Sequence, residues 1–288
     1  MTENTIRSLV ARQRPLLLPV AHDALSAHLI ESAGFQAYSI GGFGLIGCRY
    51  RLPDIGLASF GEMAAGVREI MMGSSIPVLV DADDGYGDIK NTARTVEVYE
   101  VMGVSGIILE DQVSPKRCGH MAGKSVVAAE AAVKKLKVAL ASRQSKDFFI
   151  VARTDALSVH GIEEAIRRGR MYAEAGADAV FVEAPASRQE IETIAADLSG
   201  EVPLVINMAE AGRTPILPAE ELAEIGYSII AYPSTLLLRV IAGIRDGLQA
   251  IADQEFGQQS QMSLGEFAQI FGIDKWNALE DRFRGRDA

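Results

Sequence analysis

At 288 residues, with 48% hydrophobic side chains and a formal charge of −10, the chain holds enough apolar material for one large core. The acidic balance argues against nucleic acid as a partner, which calls for a basic face. Cys48 and Cys118 are the only cysteines and show no Cys-x-x-Cys spacing, so a four-thiolate metal site is excluded and a reduced, cytoplasmic protein is expected.

The first segment, 1–20, holds an apolar run at 16–20 but no small-residue cleavage site, so no secretory signal is expected. Four later segments share one pattern, a helix-like stretch, a glycine and a short apolar run: Gly34 before 37–40, Gly103 before 106–109, Gly176 before 179–182 and Gly226 before 227–232. Glycine just past a helix end adopts the left-handed conformation that stops the helix. The run after it reads as a strand buried on both faces, as in a parallel sheet. The runs at 16–20, 78–82, 148–152 and 204–207 read the same way, and Pro77 and Pro203 open two of them. Between the runs lie helical patterns at 22–33, 60–72, 91–102, 128–143, 162–175, 188–198, 218–225 and 234–253.

This alternation predicts a (β/α)8 barrel over 1–253. An open doubly wound sheet is the alternative, but no Gly-x-Gly-x-x-Gly follows the first strand. The apolar stretch 227–244 contains Pro233, Ser234, Thr235 and Arg239, so it reads as strand plus helix, with no membrane span. The tail, 254–288, is expected to be a helical extension of the same unit, with short helices near 264–271 and 274–283.

In such a barrel the active site forms at the C-terminal strand ends. Those ends carry Gly41-Gly42, Asp81-Ala82-Asp83, Glu110-Asp111, Arg153-Thr154-Asp155, Glu183 and Asn207. Carboxylates sharing one rim repel unless they gain a cation or protons. An oxygen-only set such as Asp81, Asp83 and Glu110 suits Mg²⁺ or Mn²⁺ better than zinc, although acids ahead of a helix also serve as caps. Arg153 is a natural bidentate partner for a substrate carboxylate, or else a structural partner of Asp155 or Glu183. Asn207 and the amides of Gly41 and Gly42 can bind further oxygens. His22, His28 and His160 suggest no functional role.

The segment 110–124 places Cys118 after Lys116 and Arg117 and before His120, between polar residues and glycines. Nearby cations favour thiolate over thiol, and glycine permits backbone motion. A mobile loop carrying an acid/base cysteine is one reading; a solvated loop with an incidental cysteine is the other.

These residues resemble the isocitrate lyase/phosphoenolpyruvate mutase superfamily. The resemblance lies in Leu52-Pro53-Asp54-Ile55-Gly56, Asp81-Ala82-Asp83-Asp84-Gly85-Tyr86-Gly87, Glu110-Asp111-Gln112, Lys116-Arg117-Cys118-Gly119-His120, Ala152-Arg153-Thr154-Asp155 and Val182-Glu183-Ala184-Pro185. The Lys-Arg-Cys-Gly-His run is specific to the lyase branch. The resemblance implies a homotetramer in which the eighth helix, from Ser234 onward, is swapped between subunits. It implies Mg²⁺ on Asp81 directly and on Asp54, Asp83 and Glu110 through waters. Gly41, Gly42, Arg153 and Asn207 would hold the substrate with Glu183 near it. Retro-aldol (Claisen-type) cleavage of a 2-hydroxy carboxylate would follow, with Cys118 protonating the carbanion and Tyr38 or a metal-bound water as base. Ile40 stands where a serine is typical, and Met208 and Ala209 replace polar residues. These departures suggest a small, apolar, substituted malate of the 2,3-dimethylmalate type, with 2-methylisocitrate cleavage or oxaloacetate hydrolysis as alternatives.

Overall fold

The computed structural model describes residues 4–12, 15–255 and 262–284. A short helix α1 (Ile6–Arg12) precedes β1 (Leu16–Ala21) and α2 (Ala24–Ser32). Then follow β2 (Tyr38–Ile40), α3 (Gly42–Tyr50), α4 (Phe60–Met71), β3 (Val78–Asp81), α5 (Ile89–Met102) and β4 (Gly106–Glu110). The second half runs α6 (Ala129–Ser142), β5 (Phe149–Thr154), α7 (Leu157–His160), α8 (Ile162–Glu174), β6 (Ala179–Val182), α9 (Arg188–Leu198), β7 (Leu204–Asn207), α10 (Ala219–Ile225) and β8 (Tyr227–Tyr232). Helices α11 (Thr235–Asp253), α12 (Leu264–Ile270) and α13 (Ile273–Arg284) complete the order. The eight strands are all parallel and close in sequence order into a barrel, as the alternating pattern predicts. Helices α1 and α3 and the short α7 have no counterpart among the predicted segments.

Two apolar layers explain why this closure is stable. Inside the barrel, Leu16, Leu18, Leu79, Ile108, Phe149, Val151, Phe181, Val205 and Ile229 pack together, joined by Ile6, Leu9 and Val10 from α1. Alternate residues of the same strands, including Ile40, Val80, Leu109, Ala152, Val182 and Ile206, form the outer layer with the helices. The strands therefore read as continuous apolar runs, because both faces are buried. Local signals set the helix ends. Asp23 with Ser26 and Ser59 with Glu62 form reciprocal caps at the starts of α2 and α4, and Gly103 (φ 92°) ends α5.

By contacts the chain divides into two compact units, Met1–Arg239 and Val240–Ala288, with the boundary inside α11. In the second unit α12 is capped by Ser263 and Glu266, and the Phe267 and Phe271 rings lie 4.7 Å apart. Residues 256–261 and 285–288 of the predicted extension 254–288 lie outside the described residues. No helix among the described residues is long and apolar enough to cross a membrane.

Asp178 joins several elements of the first unit. Its carboxylate accepts from Arg7 at 2.7 Å, Arg143 at 2.5 Å and the Ile150 amide at 2.8 Å. Asp178→Ala would leave those donors without their shared acceptor and is expected to lower stability by about 3 kcal/mol, measured as a reduced denaturant midpoint at unchanged slope.

Candidate active site

Strand pleating decides which side chains meet. Leu79, Ile108, Val151, Phe181 and Val205 point into the barrel. The next position of the same parity in each strand is Asp81, Glu110, Arg153, Glu183 and Asn207, so all five turn toward the barrel mouth. A cavity of about 240 Å³ opens there. Gly41, Gly42, Asp54, Asp81, Cys118, Arg153, Glu183 and Asn207 line it, as do Phe43, Gly119, His120, Ala209, Pro233 and Leu238. Asp83 and Glu110 are buried but are not among the lining residues.

Tyr38 is not brought to this cavity. It shares the parity of Ile40, is 1% exposed and packs in the outer layer. Burial also raises its phenol pKa above the ordinary value, which removes it as a base at neutral pH. Ser39 has the inward parity instead, and its hydroxyl donates to the Leu79 carbonyl at 2.7 Å. Ile40 faces outward too, so its departure from the familiar serine leaves the cavity wall unchanged. Met208 is fully buried, with its sulfur accepting from the Leu217 amide at 3.4 Å. Of the pair Met208 and Ala209, only Ala209 shapes the cavity.

Arg153 is the electrostatic centre of the site. Its Nε and Nη2 donate to Asp155 at 2.9 and 3.1 Å, and Nη1 and Nη2 stand 3.2 and 3.3 Å from Glu183 and Glu110. The structural partnership open from the sequence is thus realised at the cavity wall itself. Lys116 plays a parallel part: its ammonium donates to Asp54 at 2.5 Å and lies 2.9 Å from Asp83. Even so, the carboxylates of Asp54, Asp81, Asp83, Glu110, Asp155 and Glu183 outnumber the cations Arg153, Lys116 and Lys124. Burial, strengthened by neighbouring acids, pushes Asp83 up to about 7 and raises Glu110 well above its ordinary range despite Lys116 and Arg153. For Asp155 burial acts in the same direction, but Arg153 and Lys124 outweigh it and the net shift is downward.

This surplus of buried oxygen suits a hard divalent cation. Neither Glu110 oxygen accepts a well-formed hydrogen bond, and Asp83 Oδ1 is met only by the Lys116 ammonium as an ion pair. Among the described residues no three His, Cys, Asp or Glu side chains stand close enough to form a direct metal cage. Such a donor set fits a largely hydrated ion of the Mg²⁺ type, held by few direct carboxylates, and does not fit zinc.

The segment after β4 folds over the cavity. Gln112 pairs with Val126 in an isolated antiparallel bridge, and its side chain accepts from the Arg117 amide and donates to the Arg117 carbonyl. The Cys118 amide donates to the Asp54 carbonyl at 3.0 Å. Gly119 presses on the charged wall: a Cβ there would lie 2.5 Å from both Arg153 Nη2 and Glu183 Cγ, so only glycine fits. His120 Nδ1 accepts from the Arg213 amide at 3.2 Å, which leaves the proton on Nε2. That Nε2 and Glu183 Oε1, 3.5 Å apart, are both buried without a hydrogen-bond partner and are available to a ligand. Burial lowers the His120 pKa, keeping the imidazole neutral.

The basic neighbours of Cys118 do not yield a thiolate. Burial dominates and raises its pKa, with the Asp54 and Glu183 charges in the same direction; the His120 amide and Arg153 only partly oppose this. The surroundings therefore favour the thiol over the thiolate. Phe43, Lys124 and Leu238 join the site or its support without having been singled out from the sequence, whereas Lys116, His120 and Asp155 stood out there only as neighbours of Cys118 and Arg153. Loop lysines carry no periodicity, and only their position inside the Cys118 segment marks them.

The phosphoenolpyruvate phosphomutase family model matches residues 6–252. The chain is 37% identical to 2,3-dimethylmalate lyase of Eubacterium barkeri over 98% of each chain. It is 38% identical to 2-methylisocitrate lyase of Shewanella oneidensis over 96% of this chain and 94% of that one. A solved oxaloacetate acetylhydrolase, bound to 3,3-difluorooxalacetate, superposes with a TM-score of 0.91 at 30% identity, over 99% of this chain and 97% of that one.

With Cys48 replaced by alanine, alkylation of Cys118 by iodoacetamide is expected to rise with pH to a midpoint above that of an ordinary cysteine. A midpoint near neutrality, read from rate against pH, would instead identify a pre-formed thiolate.

Proposed function

This chain belongs to the phosphoenolpyruvate phosphomutase family, and from that premise we propose that it is a carbon–carbon lyase acting on a small substituted malate. The observation that carries this reading is the placement of Cys118, its thiol pKa raised by burial, in one cavity with Arg153, Glu183 and the acid cluster. A buried arginine facing a cavity orients a substrate carboxylate. Phe43, Ala209, Ala211, Pro233 and Leu238 provide an apolar side to the same cavity. That wall suits alkyl substituents better than a third carboxylate, which supports a 2,3-dimethylmalate-type substrate. The volume, about 240 Å³, suits a substrate of that size.

Mg²⁺, with Mn²⁺ as the alternative, would be held by Asp81, with Asp54, Asp83 and Glu110 acting through water, and would supply stabilisation of negative charge on the substrate's 2-oxygen. The chain's own groups do the rest. Arg153 holds the carboxylate, while the amides of Gly41 and Gly42 and the side chain of Asn207 bind oxygens. Glu183 Oε1, free of a donor, is an acceptor available for the 2-hydroxyl proton. As that proton leaves, the C2–C3 bond breaks to a 2-oxo acid and a carbanion. The Cys118 thiol then delivers its proton to the carbanion carbon, and the folded segment excludes water.

The helical surfaces support assembly. Val240, Ile244, Leu248 and Ile251 on α11 and Ile273, Trp276, Leu279 and Phe283 on α13 form exposed apolar stripes at helical spacing. Stripes of this kind mark packing surfaces. A homo-oligomer with α11 exchanged between copies is the arrangement we infer. Sedimentation of the full chain is expected to give a tetramer, and Leu248→Glu is expected to shift it to smaller species; a monomeric parent protein would exclude this assembly.

A panel of malates assayed for 2-oxo acid release tests the reaction. Turnover of 2-alkylmalates is expected, abolished by EDTA and restored by Mg²⁺. Activity on 2-methylisocitrate alone, or oxalate release from oxaloacetate alone, would replace the substrate assignment. Cys118→Ser is expected to lower kcat by about 10²–10⁴-fold with ligand affinity kept.

A further inference from the structure

The cysteine segment is held down at its far end by a bond that the proposed chemistry does not use. Lys124 lies after the last glycine of the segment, next to exposed residues, yet its side chain is only 1% exposed. Its ammonium donates to Asp155 Oδ1 at 2.7 Å and to the Gly119 carbonyl. Asp155 is itself fixed. Its amide donates to Asp111 Oδ1 at 2.9 Å, and its carboxylate accepts both Arg153 donors. Asp111 is anchored further out by Thr154 at 2.7 Å, Arg168 at 2.9 Å and Tyr172 at 2.8 Å.

One carboxylate oxygen, Asp155 Oδ1, therefore receives Lys124 from the segment and Nη2 of Arg153 from the barrel. The other bond from Lys124 fixes Gly119, the residue that touches Arg153 and Glu183. Arg153 lies in β5, and Asp111 and Asp155 directly follow β4 and β5, whereas Lys124 lies at the far end of the segment above them. We propose that Lys124 is a positioning residue that latches the Cys118 segment shut over the cavity and ties its closure to the orientation of Arg153 through Asp155. This rests on reading the segment as the cover of the active site but does not depend on which substrate is cleaved.

Cys118 reports the latch directly. In the full chain with Cys48→Ala, it is the one remaining thiol. Lys124→Met keeps the length of the side chain and removes its donors. The rate of Cys118 alkylation by iodoacetamide is expected to rise about tenfold or more, because the uncovered population grows. Loss of a cation disfavours thiolate, so charge alone would move the rate the other way. Lys124→Arg is expected to recover part of the protection. In turnover, Lys124→Met is expected to raise KM and lower kcat together. Tyr172→Phe, which weakens the Asp111 anchor without touching the segment, serves as the control for general loosening and is expected to stay within about twofold of parent in alkylation. An unchanged alkylation rate in Lys124→Met, or an equal rise in Tyr172→Phe, would overturn the assignment. If Lys124→Met does not fold, Lys124→Gln is measured against the same two limits.

Discussion

The constraint on which this site depends is the burial of one guanidinium. Arg153 is inward by strand parity and stands among Asp155, Glu183 and Glu110. An unpaired cation at that depth would be costly, and the surrounding acids would be costly without it. Each group is tolerable only in the presence of the others. Asp155 takes the two donors at one edge, which leaves the rest of the guanidinium and the Glu183 oxygen at the cavity wall. Replacing any member changes the charge felt by all the rest, so the rim acts as a unit rather than as a collection of separate ligands.

The cysteine segment completes that balance. Lys116 places an ammonium between Asp54 and Asp83, and Lys124 places another on Asp155. The same segment thus both covers the cavity and neutralises the acids. Hydrophobic contact plays a small part in it, since residues 119–124 bury little apolar surface and Gly119 has no side chain. The cover is held by charge-assisted bonds, whose strength depends on the exclusion of water that the cover itself produces.

The barrel was legible in the sequence because parallel strands buried on both faces must be apolar throughout, and because Gly34, Gly103, Gly176 and Gly226 punctuate the helix ends. The strand-end acids, Arg153 and Asn207 were legible for the same reason: a polar residue ending an apolar run has few places to go. What was misjudged followed from parity. Tyr38 and Ile40 lie in a strand of three residues, too short for alternation to show, and both turn outward. Counting back two residues from Gly41 would have placed Ser39, not Tyr38, toward the axis. Met208 lies just past β7, where the chain turns and its side chain is captured by the Leu217 amide. Asp111 is the converse case. Its outward parity places it under α8 as an anchor, although adjacent Glu110 turns inward.

The thiol of Cys118 shows why position outweighs local composition. Flanking Lys116 and Arg117 suggested a thiolate, yet Lys116 is committed to Asp54 and Asp83 and the Arg117 main chain to Gln112. At the sulfur, burial and the fields of Asp54 and Glu183 outweigh the His120 amide and Arg153, and the thiol pKa is raised. A nucleophile would be disabled by such surroundings, whereas a proton donor is served by them, because it must keep its proton until a stronger base forms beside it. The carbanion of the proposed cleavage would be such a base. In the proposed reaction, the buried, acid-lined environment that raises the thiol pKa would therefore leave it ready to act as an acid once the bond has broken.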